Sequence, residues 1–269
     1  MDVRIGLIGT GNMGGAIIQG LAGREGLQVH GYDPDSQRMQ MLKESFNLSP
    51  EPDIRSLTEN CDYILLAIKP ALLPQVVSGI EPYLSASKCL ISVAAGIRIM
   101  DISYRSSNSC PVVRVMPNTP ALVGRGVFAL CLEHEMLTEE QSIFIRRLFE
   151  SLGQVHVLPE KDFDAFTALI GSGPAYVCYF MESMVDAGVL MGLDRKETTE
   201  MVTELFAGTA QMVHEGNMHI TGLKEMVSSP GGTTISGLRS LERRAVKAAV
   251  MEAVERAAMR SRELGKEEL

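Results

Sequence analysis

The stretch that most constrains the fold is "GTGNMG", Gly9 to Gly14. It follows directly on an apolar run, "VRIGLIG" (3–9), and opens a helical pattern over Gly14–Ala22. A strand that turns on glycines straight into a helix is the opening of a βαβ unit that binds a dinucleotide. Gly9 permits the tight turn, Gly11 lets the backbone approach a pyrophosphate, and Gly14 lets the helix pack closely on the strand; Asn12 and Met13 lie in the same turn. An acid is expected about 20 residues further on, to hold the adenosine ribose. Asp33 supplies it, at the end of the next β-rich run.

The rest of the first half keeps this rhythm. Further β-rich runs are "LQVHGYD" (27–33), "DYILLAIK" (62–69), "CLISVAA" (89–95), "PVVRVMP" (111–117), "VFALCLE" (127–133) and "QVHVLP" (154–159), with amphipathic segments at Ser36–Ser45 and Thr138–Leu152 among them. Strands that are almost continuously apolar belong to a sheet covered on both faces, so the fold class is an α/β Rossmann domain, a doubly wound and mostly parallel sheet, over residues 1–159. From Phe163 to Leu264 the period is helical, interrupted by loops at 170–174, 192–197, 216–222 and 228–234, which makes residues 160–269 an all-α domain. The segment "AYVCYFMESMVDAGVLMGL" (175–193) is apolar around most of its circumference, more than one small domain encloses, and a subunit interface follows.

In an open parallel sheet, ligands sit at the carboxyl ends of the strands. "AIKP" (67–70) and "VAAG" (93–96) occupy such ends, placing Ala67, Lys69, Pro70 and Ala95 in the cofactor crevice. Lys69 fits a cofactor phosphate or ribose, and equally a solvated loop. "MPNTP" (116–120) puts Asn118 near the expected nicotinamide between two stiffening prolines, or is a plain turn.

A net charge of −8 leaves no basic footprint for nucleic acid, and the basic residues from Arg239 to Lys247 alternate with acids as on a solvated helix face. The five cysteines form no C-x-x-C pair and the five histidines no ligand-spaced cluster, so no metal is expected and the thiols read as free. No apolar run approaches membrane-spanning length, and the chain opens on a strand rather than a leader; a cytoplasmic protein is expected.

Near the C-terminus "SSPGGTTISGLRSLE" (228–242) runs from small residues into a helical pattern. Either a Thr caps the helix, or the open N–H groups at its start, freed of bulk by Gly231 and Gly232, form an anion site.

Taken together, "GTGNMG", "AIKP", "SVAAGI", "RVMPNTP", "DAFTALIGSGPAY" and "VSSPGGTTISGLRSLE" resemble pyrroline-5-carboxylate reductases, over essentially the whole chain and in the right order. The resemblance implies reduction of 1-pyrroline-5-carboxylate to L-proline by NAD(P)H, and a helical domain that interleaves with that of a second subunit in a homodimer, with such dimers often assembling into decamers. It also implies that Ser229, Gly232 and Thr233 hold the substrate carboxylate, that the Thr234 hydroxyl meets the ring nitrogen, and that Thr167 and Glu160 border the substrate pocket. For Thr167 and Glu160, helix capping and a surface charge are the plain alternatives. Glu182 and Asp186, one turn apart, are expected to tie neighbouring helix ends rather than move protons.

In two places the chain departs from the family's pattern: Ile220 stands where a proline is common and Ile170 where a small Ser is usual. β-Hydroxyacid dehydrogenases share the domain plan but carry a catalytic Lys where Val177 stands here. A dinucleotide-sensing regulator leaves 228–234 without a role. At the ribose position "GYDPDSQR" offers Asp33 and Asp35 where relatives that favour NADPH have Ser, Asn or Arg, so NADH is expected to serve at least as well as NADPH.

Overall fold

The computed structural model describes residues 2–216 and 218–267. The chain forms two compact units, Met1–Ser172 with Ala257–Leu269, and Gly173–Arg256.

The first unit carries strands β1 (Val3–Ile8), β2 (Leu27–Tyr32), β3 (Ser49–Pro50), β4 (Tyr63–Leu66), β5 (Cys89–Ser92), β6 (Val112–Met116), β7 (Gly126–Cys131) and β8 (Gly153–Val157), in the order β3-β2-β1-β4-β5-β6-β7-β8. All neighbours are parallel except β6 and β7. Strand order reverses beside β1, with β2 on one side and β4 on the other, which opens a crevice at their carboxyl ends.

Alternate residues of each strand enter two separate apolar clusters. Leu65, Ile91, Val113 and Phe128 face one, beneath helices α1 (Asn12–Leu21), α2 (Ser36–Phe46) and, later in the chain, the helix over Glu139–Glu150. Ile64, Leu90, Val112 and Ala129 face the other, beneath α3 (Ile54–Asn60), α4 (Leu73–Ile80) and α5 (Ile99–Arg105). Period-2 side chains that are apolar on both sides leave the sheet no stable place except between two helical layers. Helix α6 (Glu139–Glu150) starts on a capping box between Thr138 and Gln141, the signal that placed it in the sequence.

The compact unit that holds the sheet runs on to Ser172, with Phe163 and Phe166 of α7 (Phe163–Phe166) buried in the cluster beneath α3–α5. The loop expected at 170–174 is helical: a π-turn over Thr167–Gly171 leads almost directly into α8 (Gly173–Leu190), whose first turn accommodates Pro174.

The second unit holds α8, α9 (Arg195–Glu215), α10 (Ile220–Met226), α11 (Thr233–Arg243) and the first turns of α12 (Val246–Glu267). Asp194 caps α9 by accepting from the N–H groups of Lys196 and Glu197, and Asp186 pairs with Arg195 at 2.9 Å, so this acid ties helix ends as expected. The unit buries little within itself. On α8 and the turn after it, Leu190 is 88% and Met191 76% exposed, and Tyr179, Val177 and Met184 also face outward. Apolar surface on that scale is what a partner covers. Among the described residues no helix is long and apolar enough to cross a membrane.

Candidate active site

The glycine turn is built as its spacing demands. Gly9 has φ +91°, where L side chains are strained, and a Cβ there would lie 2.7 Å from the Ala67 carbonyl oxygen. A Cβ on Gly14 would run into the Gly9 carbonyl. Gly11 differs: a Cβ there would meet only Arg38 Nη1, at 3.8 Å, so the space above it is open. Gly11 is the N-cap of α1 and no side chain caps the helix, so its first N–H groups face that space. An uncapped helix start under an open glycine is the cradle a pyrophosphate needs, and these residues fit a dinucleotide. Asn12 is exposed, whereas Met13 packs against the core.

Asp33 braces the same turn. Its Oδ2 accepts the Thr10 N–H at 2.7 Å and its Oδ1 the Asp35 N–H at 3.0 Å. Burial pushes this carboxyl up, but the two backbone donors, with Arg38 nearby, outweigh it and hold the group below its ordinary value. Each oxygen keeps a lone pair free. Asp35 caps α2 through the Arg38 N–H.

At the ends of β4 and β5, Ala67 and Ala95 are half-buried, and Ala67 N–H donates to Ile8 O at 2.9 Å, which joins this loop to the glycine turn. Lys69 is exposed and precedes the short 3₁₀ turn that Pro70 opens. Asn118 is engaged by its own protein: Oδ1 accepts the Val127 N–H at 2.9 Å and Nδ2 donates to Ile170 O at 3.4 Å. That matches the turn reading, and it fastens the loop after β6 to the π-turn.

Glu160 is more than a surface charge. Its Oε1 accepts the Ile99 N–H at 2.7 Å, at the start of α5, and Arg114 Nη1 at 3.2 Å. Arg114 is 4% exposed and its guanidinium stacks 4.9 Å above the Phe163 ring. The sequence reading passed over Arg114, although it is the one charge within "PVVRVMP". The Thr167 side chain caps no helix N-terminus: the residue opens the π-turn, and its Oγ1 is buried with no partner. An orphaned buried hydroxyl is costly, and a π-turn often marks a working site.

The entrance to α11 lies in the second unit. Gly231 has φ +69°, Gly232 is the N-cap, and no side chain bonds the first N–H groups of the helix. The capping alternative therefore fails, because neither Thr233 nor Thr234 precedes the helix: both are in its first turn. Ser229 accepts the Gly232 N–H on its carbonyl at 3.1 Å, and its hydroxyl stands so close to Gly232 that a side chain there would push it aside. Thr234 is half-buried. Among the described residues, no three His, Cys, Asp or Glu side chains stand together as a metal site.

Known proteins resemble this chain over its whole length. Residues 160–264 match the family described as pyrroline-5-carboxylate reductase dimerisation, and residues 4–96 match the family described as NADP oxidoreductase coenzyme F420-dependent. The chain is 34% identical to the pyrroline-5-carboxylate reductase of Escherichia coli (strain K12), covering 99% of this chain and 100% of that one. It is 38% identical to the Glycine max enzyme of the same name, covering 97% and 95%. The crystal structure of Plasmodium falciparum pyrroline carboxylate reductase with NADP bound superposes with a TM-score of 0.88, at 36% identity and 98% coverage of both chains. Full-length identity at this level, on a glycine turn built for a dinucleotide and a helical segment of the dimerisation family, makes the chain a member of the pyrroline-5-carboxylate reductase family.

Proposed function

We propose that this protein reduces 1-pyrroline-5-carboxylate to L-proline with NAD(P)H, and that the uncapped entrance of α11 holds the substrate carboxylate. That entrance is the observation that carries the reading. It offers open N–H groups at Thr233 and Thr234, past the Gly232 N–H that closes on the Ser229 carbonyl, with the Ser229 hydroxyl beside them, and no Arg or Lys stands between Ser228 and Thr234 as a phosphate site would invite.

Gly9–Gly14, Asp33, Ala67, Lys69, Pro70, Ala95 and the loop of Asn118 would hold the dinucleotide, whose reduced nicotinamide would supply a hydride to the C=N carbon. The protein's own residues do the rest. As electrons move onto the ring nitrogen, that nitrogen becomes a basic amine and takes a proton; the Thr234 hydroxyl donates a hydrogen bond to it and passes on a proton from water. Thr is too weak an acid to drive this step, so its contribution is orientation and a modest rate effect. Thr167, whose buried hydroxyl lacks a partner, and Glu160, which keeps α5 and Arg114 in place, are the substrate residues that this reading assigns to the first unit.

NADH serves at least as well as NADPH in this reading. Asp33 and Asp35 put two carboxylates at the end of β2, and a carboxylate accepts ribose hydroxyls but repels a phosphate dianion. Arg38, beside Gly11, offsets part of that repulsion. The working unit is a homodimer through residues 160–269, with larger assemblies up to a decamer built on it. A reducing, cytoplasmic setting fits the buried thiols of Cys61, Cys89, Cys110 and Cys131, since burial pushes Cys61 up to about 12 and Cys110 to about 11.

The test is a spectrophotometric assay with pyrroline-5-carboxylate and each reduced cofactor, beside 3-hydroxy acids with the oxidised cofactors. Loss of reduced nicotinamide matched by proline formation is expected. Oxidation of a 3-hydroxy acid with no imine reduction would instead support the β-hydroxyacid dehydrogenase reading.

A further inference from the structure

Gly265 stands inside α12, which runs on to Glu267, and glycine is the poorest helix former after proline. Helix propensity gives no reason for it; the surroundings do. A Cβ on Gly265 would lie 2.6 Å from the Gly96 carbonyl oxygen, and a Cβ on Gly96 would lie 3.2 Å from Gly265 N. Gly96 has φ +81°, so two glycine backbones meet where neither tolerates a side chain. One turn earlier, Ser261 is 5% exposed, and its hydroxyl donates to Asp164 Oδ1 at 2.7 Å instead of to its own helix. Arg262 Nε lies 3.7 Å from the other Asp164 oxygen.

All of these groups belong to the first unit. The two segments they touch both carry proposed site residues. Gly96 follows Ala95 in the loop after β5, and Asp164 lies on α7, which continues into the π-turn that Thr167 opens. On its other side the same loop is fastened by Glu160, which accepts the Ile99 N–H.

We propose that the last turns of α12 are a positioning element for hydride transfer: Gly265, seated on the Gly96 carbonyl and anchored through Ser261 to Asp164, sets where the β5–α5 loop holds Ala95 against the nicotinamide. This rests on the assignment of Ala95 to the cofactor site. Neither Gly265 nor Ser261 is among the residues assigned to cofactor or substrate. Their effect is geometric, and a displacement of about 1 Å at a reacting pair lowers rates by about a hundredfold.

The experiment measures kcat, both KM values, cofactor affinity, melting temperature and the primary isotope effect with cofactor deuterated at the transferred hydrogen. The variants are Gly265→Ala, Gly265→Val, Ser261→Ala and a chain ending at Leu264, with Ala95→Leu as reference. Expected in the two Gly265 variants and the truncated chain are a fall in kcat of about tenfold or more and a larger isotope effect, with a smaller change in Ser261→Ala, while cofactor affinity stays near wild type and the Gly265 variants melt lower but remain folded at the assay temperature. If Gly265→Val does not fold, the alanine variant and the truncated chain still decide. An unchanged kcat and isotope effect in a folded Gly265 variant overturns the proposal, as does a fall in kcat that merely tracks the fraction folded. Ala95→Leu separates the two assignments: unaltered cofactor binding and turnover there removes Ala95 from the site, whereas weakened binding there with silent Gly265 variants removes only the positioning role.

Discussion

The Asp33 carboxylate accepts the Thr10 N–H at 2.7 Å, so the acid read as a ribose ligand also fastens the glycine turn from below. Its carboxyl is held under the ordinary value of 3.8, and a depressed carboxyl stabilises the fold above that value and loses the contribution as pH falls through the lower folded value. The melting-temperature gap between wild type and Asp33→Ala is therefore widest near neutral pH and narrows below pH 3.8. A gap that widens on acidification contradicts this account of Asp33.

The same position governs cofactor choice. Asp33→Ser removes the charge that opposes an adenosine phosphate and moves kcat/KM toward NADPH. In the wild type the two cofactors are compared at fixed ionic strength; a preference for NADPH of about tenfold or more, roughly 1.4 kcal/mol, contradicts the reading of this strand end.

Two glycines four residues or fewer apart in one motif part company under substitution. Gly14→Ala forces a Cβ into the Gly9 carbonyl and costs about 1–3 kcal/mol of stability, visible in a denaturant titration. Gly11→Ala meets only Arg38 Nη1 at 3.8 Å, so the unliganded protein melts as wild type while cofactor affinity falls. Equal stability loss in both variants contradicts the cradle.

Thr167→Val replaces a buried hydroxyl that has no partner. Stability holds or rises, by up to about 1–3 kcal/mol, while kcat/KM for the imine drops. A destabilised but fully active variant places the hydroxyl in the fold rather than in the pocket.

Much of this was legible in the sequence because it is local. The glycine turn, the strand alternation and the Thr138 capping box each follow from a handful of adjacent residues, and the apolar circumference of 175–193 announced the exposed face of α8. What escaped depends on pairs distant in the chain. Nothing beside Asn118 says that Val127 and Ile170 use its side chain, nothing beside Glu160 names Arg114 and Ile99, and Gly265 gains its meaning only from Gly96. "IGSGP" misled for a local reason: Gly and Pro signal a loop, yet here the Pro sits in the first turn of α8, where it loses no hydrogen bond.

Apolar exposure in the second unit predicts that the protein is at least a dimer at micromolar concentration by light scattering. A compact, active monomer contradicts that.

The most direct test of the carboxylate site compares two substrates, 1-pyrroline-5-carboxylate and 1-pyrroline, which lacks the carboxylate, in wild type and Ser229→Ala. A hydrogen bond to a charged group is worth about 1.5–3 kcal/mol, so kcat/KM for the carboxylated imine falls about ten- to a hundredfold in the variant while that for 1-pyrroline barely moves. An equal loss on both substrates means that Ser229 and the α11 entrance do not hold the carboxylate.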